Sequence, residues 1–385
     1  MLSVKRAIAC CGPCLQAASR SCLAARCCVG IPLPKSACIG TAPCVSFLRS
    51  SSIARCPGGR TKRGALDSME NIAVPLSFLK RSCMKIVIAG GGGFIGRGIV
   101  EKFARESHAV VVLTRSHPRL SFARENVRTV LWDARTVGTW ASEVDGADAV
   151  MNFAGEPLDA KRWTQKQKEI IVRSRVESTE AIVEALRRAT NKPSVFINAS
   201  AVGYYGSVEQ EEVTEEYRRG EGFLADVVHR WEETALRAVA EGVRTVLLRM
   251  GVVLARDGGA LTKMALPFRL FVGGPIGLGR QWFPWIHRDD VASIAHFAMK
   301  NSALAGPVNA VAPESVTMRQ FCETLGKVLR RPSWAPVPGF VLKLALGEMS
   351  EMILTGQRVV PANLLRVGYS FIFPTLDDAL RDIFL

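Results

Sequence analysis

Short apolar runs separated by amphipathic stretches dominate the chain from Met84 onward. Lys85–Ala89 (KIVIA) and Ala109–Thr114 (AVVVLT) are apolar enough for buried strands, and Val127–Trp132 (VRTVLW), Ala149–Ala154 (AVMNFA) and Ser194–Ser200 (SVFINAS) read as further strands. Phe94–Arg105, Thr164–Ala189 and Phe223–Glu241 carry the spacing of helices that pack by one face. Val243–Leu254 (VRTVLLRMGVVL) reads as one further central strand. Strands alternating with helices predict a parallel sheet covered on both sides, a doubly wound α/β fold.

The pattern changes after Ala255. Gly273-Gly274-Pro275 and Gly277-Leu278-Gly279 mark loops, and Trp282-Phe283-Pro284-Trp285 supplies aromatic surface. Pro332, Pro336 and Pro338 interrupt the chain before a helical stretch over Val341–Leu354 and a short tail. These shifts divide the chain into a leader (1–83), a main domain with its substrate lobe (84–334) and a small C-terminal appendage packed on it (335–385).

Charge separates the leader from the rest. The net charge of the 385-residue chain is +15, and residues 1–83 carry 12 basic residues against Asp67 and Glu70. The folded part therefore has little of the basic excess that a nucleic-acid reader places on its domain surface. Nine of the 11 cysteines fall between Cys10 and Cys56, outside the folded part, where they cannot staple a core. The leader has no His, and no metal site is expected in the chain. Rich in Arg, Ser and Ala and poor in acid, the leader reads as an organellar transit peptide, for a mitochondrion or plastid; a true start at Met84 is the alternative. No run is long enough for a membrane helix, so no membrane partner is expected.

The strongest chemical signal is Gly90-Gly91-Gly92-Gly93-Phe94-Ile95-Gly96, which follows the first strand and opens the first helix. A pyrophosphate must approach bare backbone and rest on unpaired helix N–H groups, and Gly90, Gly93 and Gly96 leave room for both. At the first βα corner this spacing predicts a Rossmann-type dinucleotide site. The end of the second strand, Thr114-Arg115-Ser116, has no carboxylate to hold a ribose diol. Arg115 can pair with a 2′-phosphate, which favours NADP(H) over NAD. Phe153-Ala154-Gly155 closes the fourth strand with small residues beside the expected nucleotide. Arg175, on the long helix that follows, can lean over the sheet's edge toward the phosphates; a surface arginine is the plainer alternative.

Beyond that loop, NFAGE (Asn152–Glu156), RSRVEST (Arg173–Thr179) and SAVGYYG (Ser200–Gly206) resemble the extended short-chain dehydrogenase/reductases. RMGVVL (Arg249–Leu254), the segment Leu266–Asp290 with its PWIH, GPVNAVAP (Gly306–Pro313), GQRVVP (Gly356–Pro361) and FPTLDDALRDI (Phe373–Ile383) point to one branch of them. That branch is the epimerase-family proteins with a short C-terminal domain of unassigned role. The resemblance covers essentially all of 84–385. It implies NADPH held by the glycine loop (Phe94 and Ile95 included), Thr114, Arg115, Phe153 and Ala154, with Ile170, Arg175 and Val253 contributing.

Working members of that superfamily use a Tyr and a Lys four residues apart on one helix face, the Lys easing proton exchange at the phenol. Residues four after Tyr204, Tyr205, Tyr217 and Tyr369 are Val208, Glu209, Glu221 and Phe373, so the pair is missing. Ser200 stands where the substrate-orienting hydroxyl belongs, with Tyr205 near it in sequence, and both are expected to touch substrate. His229, Asp226 and His287 are weaker candidates, each readable as an ordinary surface or structural residue. Trp163, Tyr204, Trp282 and Phe283 could line an apolar pocket or pack in the core. Two functions compete: an oxidoreductase or epimerase-like enzyme acting on a small carbonyl or sugar-like substrate, and a catalytically weak NADPH-binding sensor or scaffold.

Overall fold

A computed structural model describes residues 83–116 and 124–385; the leader expectation, Cys83 apart, lies outside the described residues. The first six apolar segments fold as β1 (Lys85–Ala89), α1 (Phe94–Arg105), β2 (Ala109–Thr114), β3 (Val127–Leu131), β4 (Ala149–Asn152) and α2 (Gln165–Arg188). There follow β5 (Val195–Ala201), β6 (Val208–Val213), α3 (Phe223–Ala240), β7 (Arg244–Met250) and β8 (Val252–Leu254). The remainder comprises α4 (Gly259–Arg269), β9 (Trp285–His287), α5 (Arg288–Lys300), β10 (Gly306–Ala310) and α6 (Met318–Leu329). It ends with α7 (Gly339–Leu346), α8 (Glu351–Leu354), β11 (Gln357–Val359), α9 (Ala362–Arg366) and α10 (Leu376–Phe384).

Seven strands form one sheet in the order β10-β7-β5-β4-β1-β2-β3, every neighbouring pair parallel. The chain runs outward from β1 in one direction through β2 and β3, then returns to place β4 on the other side of β1. A crevice for a ligand opens at such a reversal, beyond the strands' carboxyl ends. Ile86, Val87, Ile88 and Ala89 are wholly buried, as are Val195, Phe196 and Ile197, which explains why these strands read as unbroken apolar runs. One sheet face packs on α1 and α5 through Ile99, Phe103, Ile294 and Ala295; the other packs on α2 and α3 through Ile182, Leu186, Ala235 and Ala238.

Two expectations about elements are corrected. The single strand over Val243–Leu254 is two, because the chain leaves the sheet at Gly251 and β8 pairs with β9 instead. The single helix over Val341–Leu354 is broken at Gly347 by a turn of 3₁₀-helix. Residues 335–385 share their core with the rest. Leu376, Ala379, Leu380 and Ile383 pack with Leu254, Phe268, Phe321 and Leu325, and β11 pairs with β6. Asp290 ties the tail down by accepting hydrogen bonds from the N–H groups of Ile372 and Phe373 at 2.8 and 2.9 Å.

Candidate functional site

The carboxyl ends of β1, β2, β4, β5 and β7 converge on one edge. At β1 the backbone turns through Gly90 with φ of +75°, and a Cβ there would lie 2.5 Å from the Phe153 carbonyl at the end of β4. A Cβ on Gly96 would meet the Gly90 carbonyl oxygen at 2.2 Å. Glycine is thus required twice: once so that β1 can pass its neighbour, and once so that α1 can close on the loop. Gly93 caps α1 with no side-chain hydrogen bond, leaving the first N–H groups of this helix for an anion. Phe94 packs its ring against Gly258 and Gly259, beside the Val253 carbonyl.

Thr114 is buried at the end of β2, and its hydroxyl exchanges hydrogen bonds with the backbone of Ser116, fixing the turn that carries Arg115. Arg115 itself is exposed. Ala154 N–H donates to the Asn152 side chain at 3.1 Å; Asn152 in turn donates to Thr179 and Asn198, both at 2.9 Å. This buried amide pair locks the ends of β4 and β5 to α2. Ile170 projects from α2 with 37% of its surface exposed.

Arg175 leans from α2 across the end of β4, its guanidinium carbon 3.3 Å from where a Cβ on Gly155 would stand. It donates to the carbonyls of Glu156 and Ile171, both at 3.1 Å, and lies 5.3 Å from the Trp231 ring centre. Burial pulls its pKa down to about 10, so it stays protonated at neutral pH. Among the described residues no carboxylate forms an ion pair with it. Arg175 is thus a half-buried cation at the sheet edge, beside a helix N-terminus with no side-chain cap.

Beneath this edge lies a polar network that the sequence reading missed. Arg249, at the end of β7, makes a two-pronged bond to Glu232 of α3 at 2.8 and 2.7 Å, with both side chains about 5% exposed. Glu232 also accepts the Ser200 hydroxyl, and Arg249 donates to the Tyr205 oxygen at 3.0 Å. Tyr205 donates onward to Asn309 at 2.7 Å, whose backbone N–H reaches Glu215. The signal was present: Arg249 in LLRMG, Asn198 in FINAS and Asn309 in VNAVA are single polar residues inside apolar strands. Such residues are retained only when fully partnered.

This network corrects the expectation for Ser200 and Tyr205. Both are 1% exposed with their hydroxyls engaged, so they lie under the cleft and do not face it. Burial pushes the Tyr205 phenol up to about 12, against proton exchange near neutrality. Tyr204 sits nearer the opening, half-buried, its ring centre 3.6 Å from the Arg249 guanidinium. The helix positions four apart that face Gly203, just beyond β5, are Leu224 and Val228.

The lesser candidates resolve as follows. His229 faces Glu233 at 3.4 Å on the outer side of α3, and Asp226 pairs with Arg219. His287 caps α5, its Nδ1 accepting the Asp289 N–H at 3.2 Å. Phe283 is buried against Phe321, with ring centres 4.4 Å apart, and belongs to the core. The Trp282 indole donates to the Glu209 carbonyl. Trp163 stacks edge-on with Phe223, centres 5.1 Å apart, and Lys168 stands over the same Phe223 ring. The pair joins the segment 156–164, which follows β4, to the start of α3.

Comparison with known proteins places this geometry. Residues 86–311 match the NAD dependent epimerase/dehydratase family, and residues 337–383 match a domain of unknown function. An Arabidopsis thaliana protein, "Epimerase family protein SDR39U1 homolog, chloroplastic", is 40% identical over 308 residues, covering 79% of this chain and 88% of that protein. The Bacillus subtilis "Epimerase family protein YfhF" is 37% identical, covering 78% of this chain and 98% of its own. The human epimerase family protein SDR39U1 (isoform2), solved with NADPH, superposes with a TM-score of 0.71 at 34% identity, covering 78% of this chain and 99% of that one. A UDP-glucuronic acid 4-epimerase from Bacillus cereus shares the fold at a TM-score of 0.63 and 16% identity. With most of the chain matched both in sequence and in architecture, it belongs to the NAD dependent epimerase/dehydratase family.

Proposed function

We propose that this chain binds NADP(H) and acts as an oxidoreductase or epimerase-like enzyme on a small carbonyl or sugar-like substrate. The observation that carries the reading is the corner between β1 and α1. It is bare backbone pressed against β4, with an uncapped helix N-terminus and the unpaired cation of Arg175 beside it. Glycine-loop N–H groups and Arg175 would hold the phosphates, and Arg115 the 2′-phosphate. The human relative solved with NADPH supports the same cofactor. When bound, the nicotinamide supplies or takes up a hydride. The chain's own residues hold the cofactor, and the Asn152–Asn198 and Arg249–Glu232 pairs fix the floor of the cleft.

A second reading, a sensor or scaffold with little turnover, is favoured by one observation. Ser200 and Tyr205 spend their hydroxyls on buried partners, and Leu224 and Val228 occupy the helix face where a Tyr/Lys pair would sit. Purified protein mixed with NADPH and a panel of carbonyl compounds separates the two. Loss of the reduced nicotinamide's near-ultraviolet absorbance supports the enzyme; tight NADPH binding without turnover on any compound supports the sensor. No affinity for either pyridine nucleotide overturns both. The acid-poor leader and the "chloroplastic" name of the Arabidopsis relative support an organellar location. No helix among the described residues is long and apolar enough to cross a membrane.

A further inference from the structure

At the opposite edge of the sheet, where β1 and β2 begin, three side chains far apart in sequence meet. Glu106 follows the last turn of α1, His108 precedes β2, and His296 projects from α5. The Glu106 Oε2 atom lies 3.1 Å from Nε2 of His296 and 3.8 Å from Nε2 of His108, and the three donor atoms all fall within 4.8 Å of one another. His108 is only 3% exposed, and among the described residues neither buried Nε2 atom has a hydrogen-bond partner. Phe103 wedges against both rings, at 5.7 and 5.6 Å between centres, and holds their orientation.

We infer that Glu106, His108 and His296 form a zinc(II) site, with water in a fourth position. Ligands on a tetrahedral zinc with bonds of about 2.0–2.2 Å stand roughly 3.3–3.6 Å apart, between the 3.1 and 3.8 Å that separate Glu106 Oε2 from the two Nε2 atoms. Two imidazoles and one carboxylate suit zinc, whereas calcium and magnesium prefer oxygen donors alone. Lys102 holds the other carboxylate oxygen, Oε1, at 3.1 Å and leaves Oε2 to the ion. His108 Nδ1 accepts the Met84 N–H at 3.2 Å. Ligation through Nε2 moves the ring proton to Nδ1, so that bond gives way when zinc binds. The bound ion would clip α1 and the start of β2 to α5, a structural role at the far end of the strands from the glycine loop.

The test compares full-length wild type with full-length Glu106→Gln/His296→Gln, with circular dichroism confirming that both fold. Zinc chloride is titrated against a chromogenic chelator. The leader cysteines, Cys10 to Cys56, are common to both proteins, so any zinc they take cancels in the difference. Wild type is expected to take up one more equivalent than the double variant, and its Tm to rise with zinc where the variant's does not. Equal uptake and equal thermal shifts overturn the site. Should the double variant fail to fold, cobalt(II) decides on wild type alone. Visible bands of a tetrahedral nitrogen/oxygen site that survive cysteine alkylation support it, and bands that vanish on alkylation, or none, overturn it.

Discussion

Single atoms decide the nucleotide corner. The backbone at Gly90 takes a φ of +75°, and a methyl group there would press on the carbonyl of Phe153. Gly90→Ala therefore strains the turn and pushes β1 from β4. NADPH binding measured by calorimetry is expected to be abolished, with a lowered Tm; retained affinity would show that the diphosphate lies elsewhere. Arg115, just beyond β2, is exposed. Arg115→Ala should leave Tm unchanged and weaken NADPH on the order of tenfold or more, since a charged hydrogen bond contributes about 1.5–3 kcal/mol. NADH affinity should move little, and an equal loss for both nucleotides would remove Arg115 from the 2′-phosphate. These residues were legible in the sequence because glycine spacing and the charge after a strand are local signals. Ser200 and Tyr205 were misjudged for the converse reason. Which way a hydroxyl points depends on Glu232 and Asn309, 32 and 104 residues away.

Elements were legible where one face or both were uniformly apolar. Lys85–Ala89, Phe94–Arg105 and Ala109–Thr114 fold with the bounds that the pattern gives. Val243–Leu254 misled because its hydrophobicity is continuous while its pairing is not. Past Gly251, where a Cβ would meet the Pro284 carbonyl oxygen at 2.7 Å, the chain is claimed by β9. The short strand β9 leads into α5 through His287, whose unprotonated Nδ1 accepts the Asp289 N–H and whose ring packs 4.1 Å from that of Phe373. Desolvation lowers the pKa of His287 below the ordinary 6.5. As pH falls the unfolded chain takes up this proton first, so the stabilisation is present above about pH 6.5 and is lost as pH drops toward the folded value. Melting temperatures between pH 7.5 and 5 should therefore decline. His287→Asn, which keeps a capping oxygen but cannot titrate, should show a shallower decline. An unchanged slope would take His287 out of the acid response.

Across the whole molecule the C-terminal residues are what the sequence pattern described least well, because a tail bound by scattered contacts has no periodicity of its own. Asp290 holds the N–H groups of Ile372 and Phe373, Glu215 accepts from Asn363, and Asn309 donates to the Val360 carbonyl. The last two join the tail to the network of Arg249, Glu232 and Tyr205 beneath the cleft. On the far side Leu376, Leu380 and Ile383, each at most 2% exposed, fill the core against α6. Burying three such side chains contributes on the order of 5–9 kcal/mol, comparable with the ~5–15 kcal/mol that separates a folded domain from its unfolded chain. A chain ended after Trp334 is therefore expected to lose its cooperative thermal transition, not merely to lose a separable module. Loss of β11 would also leave β6 unpaired, and loss of the tail would leave the Asp290 carboxylate buried without its backbone donors. Differential scanning calorimetry of the shortened chain checks this. A transition within a few degrees of the full-length protein, with NADPH affinity retained, would make residues 335–385 dispensable for the fold.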